Sequence, residues 1–517
     1  MSFIDVRLLS FRKKMAGVFG LIVLLTIVAA SQITGGNIHS DGVQNLRFAE
    51  NVARHGVFSS SPTGLPIVPG NEREPLPPYV LSAHLRLLNA TIPGLEGSTL
   101  LAGKAAQLVK LGNIPWVFLG LLGVALLSFS LTGSFLFVVL MLLLQTLFFF
   151  GLPFFVDTLY TELQAGALLI WSSWLLLMAV QSKRLKWFFV AGLCMGSLAL
   201  TKGGFLYVVP MAAMLLAGLF VVQDSLILGL KRFIVLLAGF SLLTLPWMVR
   251  NKLVTGHFEL TQRGGHVLLT RAIKNNMTLD EVRGALYYWG PSFYQKLSAP
   301  LGLGAVPGDF QLGGRFQRLN REGSNFKSSD LKAQAEGNPE AAISYYRKAA
   351  SELSRYVMQA QAEGSSHPQR DGDDHAKRQA KSLILSSPQR HALMTAPFFW
   401  RGIWSQPNQG LLIKNSPVYV ILKDLLALFS ILALYAVFAL GVLRRNLTYI
   451  AVSLLPVLMV SFYAAVTHNI PRYPAAAIPL MLTCLALLIS KSAKGERPQF
   501  FESAPTTLDL PERPHSL

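Results

Sequence analysis

The sequence predicts an all-α polytopic membrane protein with about ten transmembrane helices, and three observations lead to this fold class. Hydrophobic residues make up 52% of the 517 residues and charged residues only 14%, whereas a soluble domain carries about 25% charged residues. The mean hydropathy is +0.43. Apolar runs of bilayer length recur along the chain. The composition therefore excludes a disordered chain and an array of soluble domains.

The predicted membrane helices follow from these apolar runs, since a membrane-spanning helix needs about 20 apolar residues. The runs begin near Met15, Asn113, Ser134, Thr161, Trp187, Phe205, Phe233, Val418, Leu447 and Pro474. The fifth and sixth are separated only by the turn 201–204. The runs divide the chain into a transmembrane module with seven spans (1–249), a large insert (250–412), C-terminal transmembrane helices (413–490) and a tail (491–517).

Basic residues in the short loops predict the orientation of the spans. They alternate along the chain as ten spans with both termini in the cytoplasm require: Arg12, Lys13 and Lys14; Lys183, Arg184 and Lys186; Lys231 and Arg232; Arg444 and Arg445; Lys491, Lys494 and Arg497. The first span reads as an uncleaved anchor. The loop 34–112 and the insert 250–412 then lie outside. The net charge of +19 is therefore assigned to orientation and to the insert, and nucleic acid is not predicted as a partner.

The insert 250–412 is predicted to be a mostly helical subdomain outside the membrane. The segment from Ala341 to Tyr356 has helical spacing, and the polar stretch from Gly364 to Asp374 predicts a loop. The two cysteines, Cys194 and Cys484, lie inside apolar runs and provide no disulfide framework.

The segment from Asp41 to His55 is predicted to be an amphipathic helix in the first outer loop, lying along the membrane interface. Asp41 or Ser40 is suited to cap its start and Gly56 to end it. Asp41 has two interpretations at this point, a helix cap or a functional carboxylate near the outer headgroups.

Further charged residues lie at other predicted outer ends of the spans. Arg73 and Glu74 lie in a stiff, proline-rich loop, Asp157 and Glu162 bracket the start of the fourth span, Lys202 lies in the turn between the fifth and sixth spans, and Arg472-Tyr473 lies between two prolines. A solvated loop, helix-end acids and a snorkelling lysine are the plainer interpretations. Glu74 and His468 are weak metal-ligand candidates. No dense ligand cluster is visible in the sequence, so no cofactor is assigned and a divalent metal stays open.

Taken together, these residues suit one reaction. Acids (Asp41, Asp157, Glu162) and cations (Arg73, Lys202, Arg472) are predicted to gather at the outer membrane surface. A carboxylate there can act as general base on an acceptor, and the cations can neutralise a leaving lipid phosphate. The pattern therefore predicts group transfer from a lipid-linked phosphate donor.

The same stretches resemble the integral-membrane GT-C glycosyltransferases, in particular the protein-mannosyltransferase-like branch that includes the aminoarabinose transferase of lipid A. The resemblance lies in His39-Ser40-Asp41, Arg73-Glu74-Pro75-Leu76-Pro77, Asp157 to Glu162, Leu198 to Lys202, Thr261 to Leu269 and Arg472-Tyr473. It covers roughly residues 1–270 and 395–490. The insert 250–412 does not resemble a domain of the family.

The resemblance implies a polyprenyl-phosphate-linked sugar donor and an inverting single displacement, with Asp41 as the catalytic base. It implies donor-phosphate contacts from Arg73, Lys202 and Arg472, with Glu74 and Tyr473 beside them. The acceptor would be a lipid, a protein or a glycan. The chain would lie in a bacterial inner membrane, among its lipids, with the active site on the periplasmic face.

Two other functions stay open from the sequence alone. A polymerase or ligase of polysaccharides would act on similar lipid-linked glycans through a large outer loop, which the insert 250–412 supplies. A secondary transporter would place its ionisable residues near the bilayer midplane and often carries internal repeats. The charged candidates here lie at outer ends of the spans, and no repeat is evident, so the transporter is the weaker alternative.

Overall fold

The computed structural model describes residues 3–92, 94, 97–262, 264–319, 326–405, 407, 410–411 and 416–490. These residues form helices and connecting turns, and no strand occurs among them. The predicted all-α class is confirmed. The tail 491–517, with Lys491, Lys494 and Arg497, and the predicted insert boundary at 412 lie outside the described residues.

The helices fall into three groups along the chain. The first group comprises α1 (Phe3–Ala30), α2 (Asp41–His55), α3 (Leu76–Thr91), α4 (Gly103–Lys110), α5 (Ile114–Thr132), α6 (Phe135–Gln145), α7 (Pro153–Val156), α8 (Glu162–Ser182), α9 (Leu185–Ala199), α10 (Phe205–Gln223) and α11 (Leu226–Thr255). The second comprises α12 (Gly264–Ile273), α13 (Leu279–Trp289), α14 (Ser292–Ser298), α15 (Lys327–Ala335), α16 (Tyr345–Ala362), α17 (Pro368–Leu385), α18 (Pro388–Leu393) and α19 (Thr395–Ile403). The third comprises α20 (Pro417–Leu443), α21 (Leu447–Val466) and α22 (Ile478–Ile489).

Seven of the helical segments among the described residues are long and apolar enough to cross a membrane, so the chain is a multi-pass membrane protein. Three shorter apolar segments accompany them: Phe135–Phe150, Leu185–Ala199 and Pro474–Ile489. All ten coincide with predicted spans. A segment of 16 residues reaches only about 24 Å at 1.5 Å per residue, whereas a bilayer core is about 30 Å thick. The count of ten spans therefore stays a prediction.

Helix α8 lies at the centre of the bundle, because 83% of its apolar window is buried inside the protein. Helices α9 and α11 cross closely through glycines. A Cβ atom on Gly192 would lie 2.1 Å from the carbonyl oxygen of Leu236, and one on Gly239 would lie 2.3 Å from that of Phe189. Small residues at such crossings bring helix backbones into contact. The turn after α9 carries Lys202, whose Nζ contacts Glu162 at the start of α8.

The predicted helix in the first loop is present as α2. It begins at Asp41 and ends at His55, and the next residue, Gly56, forms a left-handed C-cap with a φ of 69° and an N–H···O bond to Val52. No side chain caps its N-terminus at Ser40. Leu46 and Ala49 on its buried face pack against Leu81 and Leu85 of α3.

The insert departs from the sequence predictions in two places. Helix α11 continues to Thr255 and so passes the predicted boundary at 250. The predicted loop 364–374 is wrong for most of its length, because α17 begins at Pro368. Asp371 accepts a hydrogen bond from Ser365 Oγ at 2.6 Å, and Asp373 accepts one from the Gly265 backbone at 2.9 Å. These contacts, one of them long-range, stabilise a helix start that local polarity did not indicate.

Candidate active site

Asp41 lies between two arginines. One carboxylate oxygen accepts a hydrogen bond from Arg73 Nη2 and the other accepts one from Arg472 Nη2. Arg73 is 4% exposed, and its Nε donates to Gln44 Oε1 at 3.0 Å, one turn along α2. The first residue of α2 is therefore turned toward the bundle and does not cap its own helix.

The arginines set the charge state of Asp41. Burial on its own raises the pKa of this carboxyl. The charges of Arg73 and Arg472 and their hydrogen bonds together outweigh that effect and hold the pKa well below its usual range. Burial lowers the pKa of Arg472, while Glu162 and Asp41 raise it, with a net rise. The carboxylate is therefore charged throughout the neutral pH range and is a weak base while both arginines contact it.

A second ion pair continues this cluster. Lys202 Nζ lies 3.0 Å from Glu162 Oε1, and their side chains are only 8% and 4% exposed. Arg472 Nε lies 3.7 Å from the same oxygen, and its guanidinium stacks over Tyr160 at 4.4 Å. The other oxygen of Glu162 has no hydrogen-bond partner among the described residues. These contacts connect five side chains in a continuous series of ion pairs, in the order Arg73, Asp41, Arg472, Glu162, Lys202.

Glu74 connects the proline-rich loop to the turn that carries Lys202. Its Oε1 accepts a hydrogen bond from the Gly203 backbone at 3.1 Å, and the Leu76 N–H donates to the Leu200 carbonyl at 3.0 Å. Pro77 and Pro78 are buried in the first turn of α3. The neighbouring Arg73 and the facing Lys202 are therefore positioned by the same contacts.

These side chains line a cavity of about 530 Å³. One part of its wall is polar and carries the ion pairs. The rest comes from apolar residues of α10, α11, α12 and α21, among them Leu206, Tyr207, Met248, Val267, Leu268, Phe462 and Val466. The cavity brings together most of the sequence-predicted site residues: Asp41, Arg73, Glu74, Glu162, Lys202, Arg472 and Tyr473.

Asp157 lies outside this cavity. Its Oδ1 accepts hydrogen bonds from the Thr34 backbone at 2.8 Å and from Lys110 Nζ at 2.9 Å, and its Oδ2 accepts one from Thr34 Oγ1 at 2.6 Å. Lys110 is 1% exposed. Asp157 therefore joins the segment that follows α1 to α4 and neutralises a buried lysine.

His468 does not have the surroundings of a metal ligand. It is 9% exposed, and its Nδ1 has no hydrogen-bond partner among the described residues. Burial and the nearby charges of Lys274 and Arg401 hold its pKa well below the usual range. Cations around an imidazole oppose a bound metal ion, and Glu74, the other candidate from the sequence, is engaged with Gly203.

One group of residues with metal-ligating atoms does occur among the described residues. It consists of His257, Glu259 and Asp374, whose ligand atoms lie within 4.8 Å of one another. Lys377 Nζ lies 2.6 Å from Glu259 and 3.6 Å from Asp374. The donor set suits a divalent cation, but the ammonium group holds the same carboxylates, so a metal would have to displace Lys377.

Glu259 and Lys377 also line the cavity and were not predicted from the sequence. They lie 118 residues apart in the chain, and no local pattern connects them. Gln44 was also missed, although its position three residues after Asp41 on a predicted helix was a usable signal.

The chain matches no protein-family model and no curated protein. Among solved structures it is similar to the archaeal oligosaccharyltransferase AglB from Archaeoglobus fulgidus in complex with an inhibitory peptide and a dolichol-phosphate. The identity is 14%, the TM-score 0.43, and the match covers 92% of this chain and 50% of that one. A second structure of that enzyme, with Zn and sulfate, gives 13% identity, a TM-score of 0.41, and coverage of 91% and 49%.

The arabinosyltransferase EmbB from Mycobacterium smegmatis is also similar, at 12% identity and a TM-score of 0.30, with coverage of 92% of this chain and 41% of that one. The chain thus spans about half the length of the oligosaccharyltransferase. At this level of similarity we base the function on the residues of the site. The solved structures that this chain resembles are GT-C glycosyltransferases, the class that its sequence motifs also resemble.

Proposed function

We propose that the chain is a membrane glycosyltransferase that moves a sugar from a polyprenyl-phosphate donor to an acceptor, by inverting single displacement with Asp41 as general base. One observation carries the proposal: a carboxylate and two arginines meet in a cavity whose remaining wall is largely apolar. The arginines suit a phosphate, since a guanidinium fork can make two hydrogen bonds to it.

The reaction follows from the order of the groups. The acceptor hydroxyl or amine attacks the anomeric carbon of the donor sugar and passes its proton to the Asp41 carboxylate. The bond between that carbon and the phosphate oxygen breaks, and its electron pair leaves with the phosphate. Arg73 and Arg472 stabilise the charge that develops on the leaving group. Lys202, neutralised by Glu162, lies next in line. Asp157 is not assigned a part in the reaction because it lies outside the cavity.

The apolar wall favours a lipid-linked donor over a soluble one. Leu206 and Tyr207 on α10 and Phe462 and Val466 on α21 line the cavity beside the ion pairs, and both helices are long enough to cross a membrane. A polyprenyl chain can lie against such a surface while its phosphate meets the cations. From the basic loops, we place this end of the bundle on the extracytoplasmic face of a bacterial inner membrane.

The insert supplies a further part of the wall and is proposed as the acceptor side. Glu259, Gly264 and Lys377 reach the cavity from this part of the chain. A polysaccharide polymerase or ligase stays as the second candidate function, because an insert wall of this kind also suits a larger glycan acceptor. The group His257, Glu259 and Asp374 would hold a divalent cation if one binds, and no step above requires it.

The proposal is tested by mass spectrometry of cell-envelope glycans and lipid A from cells with and without the chain. We expect a product one sugar heavier to appear with the wild type and to fall by at least about 10²-fold with Asp41→Asn, since a general base contributes that much or more. Asp280→Asn is the matched control, because Asp280 is 73% exposed and does not line the cavity. Transfer by Asp41→Asn at a near-normal rate would remove Asp41 from the base role.

A further inference from the structure

The cavity is balanced in charge before any substrate binds. Its described lining includes four cations and four carboxylates, so its formal charge is zero: Arg73, Lys202, Lys377 and Arg472 against Asp41, Glu74, Glu162 and Glu259. Lys202 pairs with Glu162, and Lys377 pairs with Glu259. A phosphate that enters must therefore compete with a carboxylate for its cations.

Asp41 is the carboxylate at the point of competition. Arg73 and Arg472 each direct an Nη2 donor to a separate oxygen of Asp41, which is the arrangement that two guanidinium groups make around an oxyanion. Resting on the function proposed above, we propose that Asp41 contacts the arginine pair in place of the donor phosphate, and that the arriving phosphate takes over Arg472 and so strengthens Asp41 as a base.

The two arginines differ in how easily they can change partner. The Arg73 side chain is 5% exposed and is anchored through Nε to Gln44. The Arg472 side chain is 19% exposed, and that of Asp41 is 27% exposed. The contact between Arg472 and Asp41 is thus the one that opens into the cavity, while Arg73 stays in place.

The exchange has a chemical consequence for the base. With Arg472 turned to the phosphate, Asp41 loses one of the two cations that lower its pKa, and it gains a negative neighbour that raises its pKa. The carboxylate becomes a stronger proton acceptor only when the donor is bound. Base strength is in this way coupled to occupancy of the donor site.

Binding of a sugar-free polyprenyl phosphate to the purified chain in lipid nanodiscs tests the inference. Asp41→Asn removes the competing charge and keeps the side-chain shape, so we expect this variant to bind the probe about tenfold more tightly than the wild type, one decade in the dissociation constant. The uncharged polyprenol is the control ligand. Asp280→Asn, which removes an exposed acid, is the control variant and should bind as the wild type does.

The outcomes separate this inference from the proposed function. If the wild type prefers the phosphate to the polyprenol and Asp41→Asn binds it no more tightly, Asp41 is not a competitor and the inference is wrong, while the donor assignment stands. If neither protein prefers the phosphate, the donor assignment fails and the inference fails with it. If Asp41→Asn does not fold, the wild type with bound polyprenyl phosphate decides by structure determination. A retained contact between Arg472 and Asp41 there would overturn the inference, and an opened one would support it.

Discussion

Replacing Lys202 by Met and Glu162 by Gln, singly and together, tests how the cavity wall holds its buried charges. At the Nζ–Oε1 distance of 3.0 Å, an effective dielectric constant of about 20 gives an attraction of about 5.5 kcal/mol before desolvation. Desolvation offsets much of that attraction. Removing one partner of a buried pair nevertheless costs about 3–5 kcal/mol, because the other charge stays buried.

The two single changes are expected to differ. Glu162 keeps a second cation when Lys202 is removed, since Arg472 Nε lies 3.7 Å away. Lys202 pairs with no other carboxylate among the described residues. We therefore expect Lys202→Met to lower the free energy of unfolding by about 2 kcal/mol and Glu162→Gln by about 4 kcal/mol. The double variant should lose less than the sum, by at least about 1 kcal/mol.

Reversible unfolding of the purified protein in mixed micelles measures these free energies. The exposed pair Lys332 and Glu336, with side chains 76% and 55% exposed, is the matched control, and its double-mutant cycle should give about 0.5 kcal/mol or less. Additivity of the Lys202 and Glu162 changes within about 0.5 kcal/mol, or a larger loss for Lys202→Met than for Glu162→Gln, would refute the reasoning.

Three further changes test other parts of the structure. Burial and two neighbouring arginines hold the pKa of Lys274 well below 10.5 in the folded protein. The unfolded chain therefore binds one more proton below pH 10.5, and the stability of the fold rises with pH up to that value. Lys274→Met should flatten this rise and raise the unfolding temperature at neutral pH, and an unchanged pH profile would contradict the reasoning. Asp157→Asn leaves the buried Lys110 without its carboxylate and should cost about 3 kcal/mol of stability, with probe binding per folded molecule unchanged. Gly192→Ala places a methyl group 2.1 Å from a facing carbonyl oxygen and should cost about 2 kcal/mol or more, whereas Gly218→Ala, with no atom within 4 Å, should not destabilise the protein in the same unfolding assay.

The fold was predictable in outline because membrane helices are local features. Each of the ten apolar runs lies on an apolar helix, and α2 begins at Asp41 and ends before Gly56 as its pattern indicated. The part of the predicted loop from 368 to 374 was mispredicted because the helix there is supported by a contact that local polarity does not reveal, in which the Gly265 N–H donates to Asp373 at 2.9 Å.

The site was predictable only in part, since Asp41 and Asp157 look alike in the sequence. Both are acids close to the end of an apolar run. Long-range packing gives the two acids different surroundings. Asp157 pairs with Lys110 and lies outside the cavity, whereas Asp41 pairs with Arg73 and Arg472 and lines the cavity. Lys377, which lies 118 residues after its partner Glu259 in the chain, had no local signal at all.

Composition and local patterning alone were thus enough for the membrane class, the positions of the apolar helices and the residue types available for chemistry. Hydrophobic burial and helix periodicity act over short stretches of chain and can be read from them. Which cation meets which carboxylate depends on contacts such as that between Arg472 and Asp41, 431 residues apart. Only the folded bundle decides those pairings, because a side-chain ion pair forms over a few ångströms of space and is independent of distance along the chain.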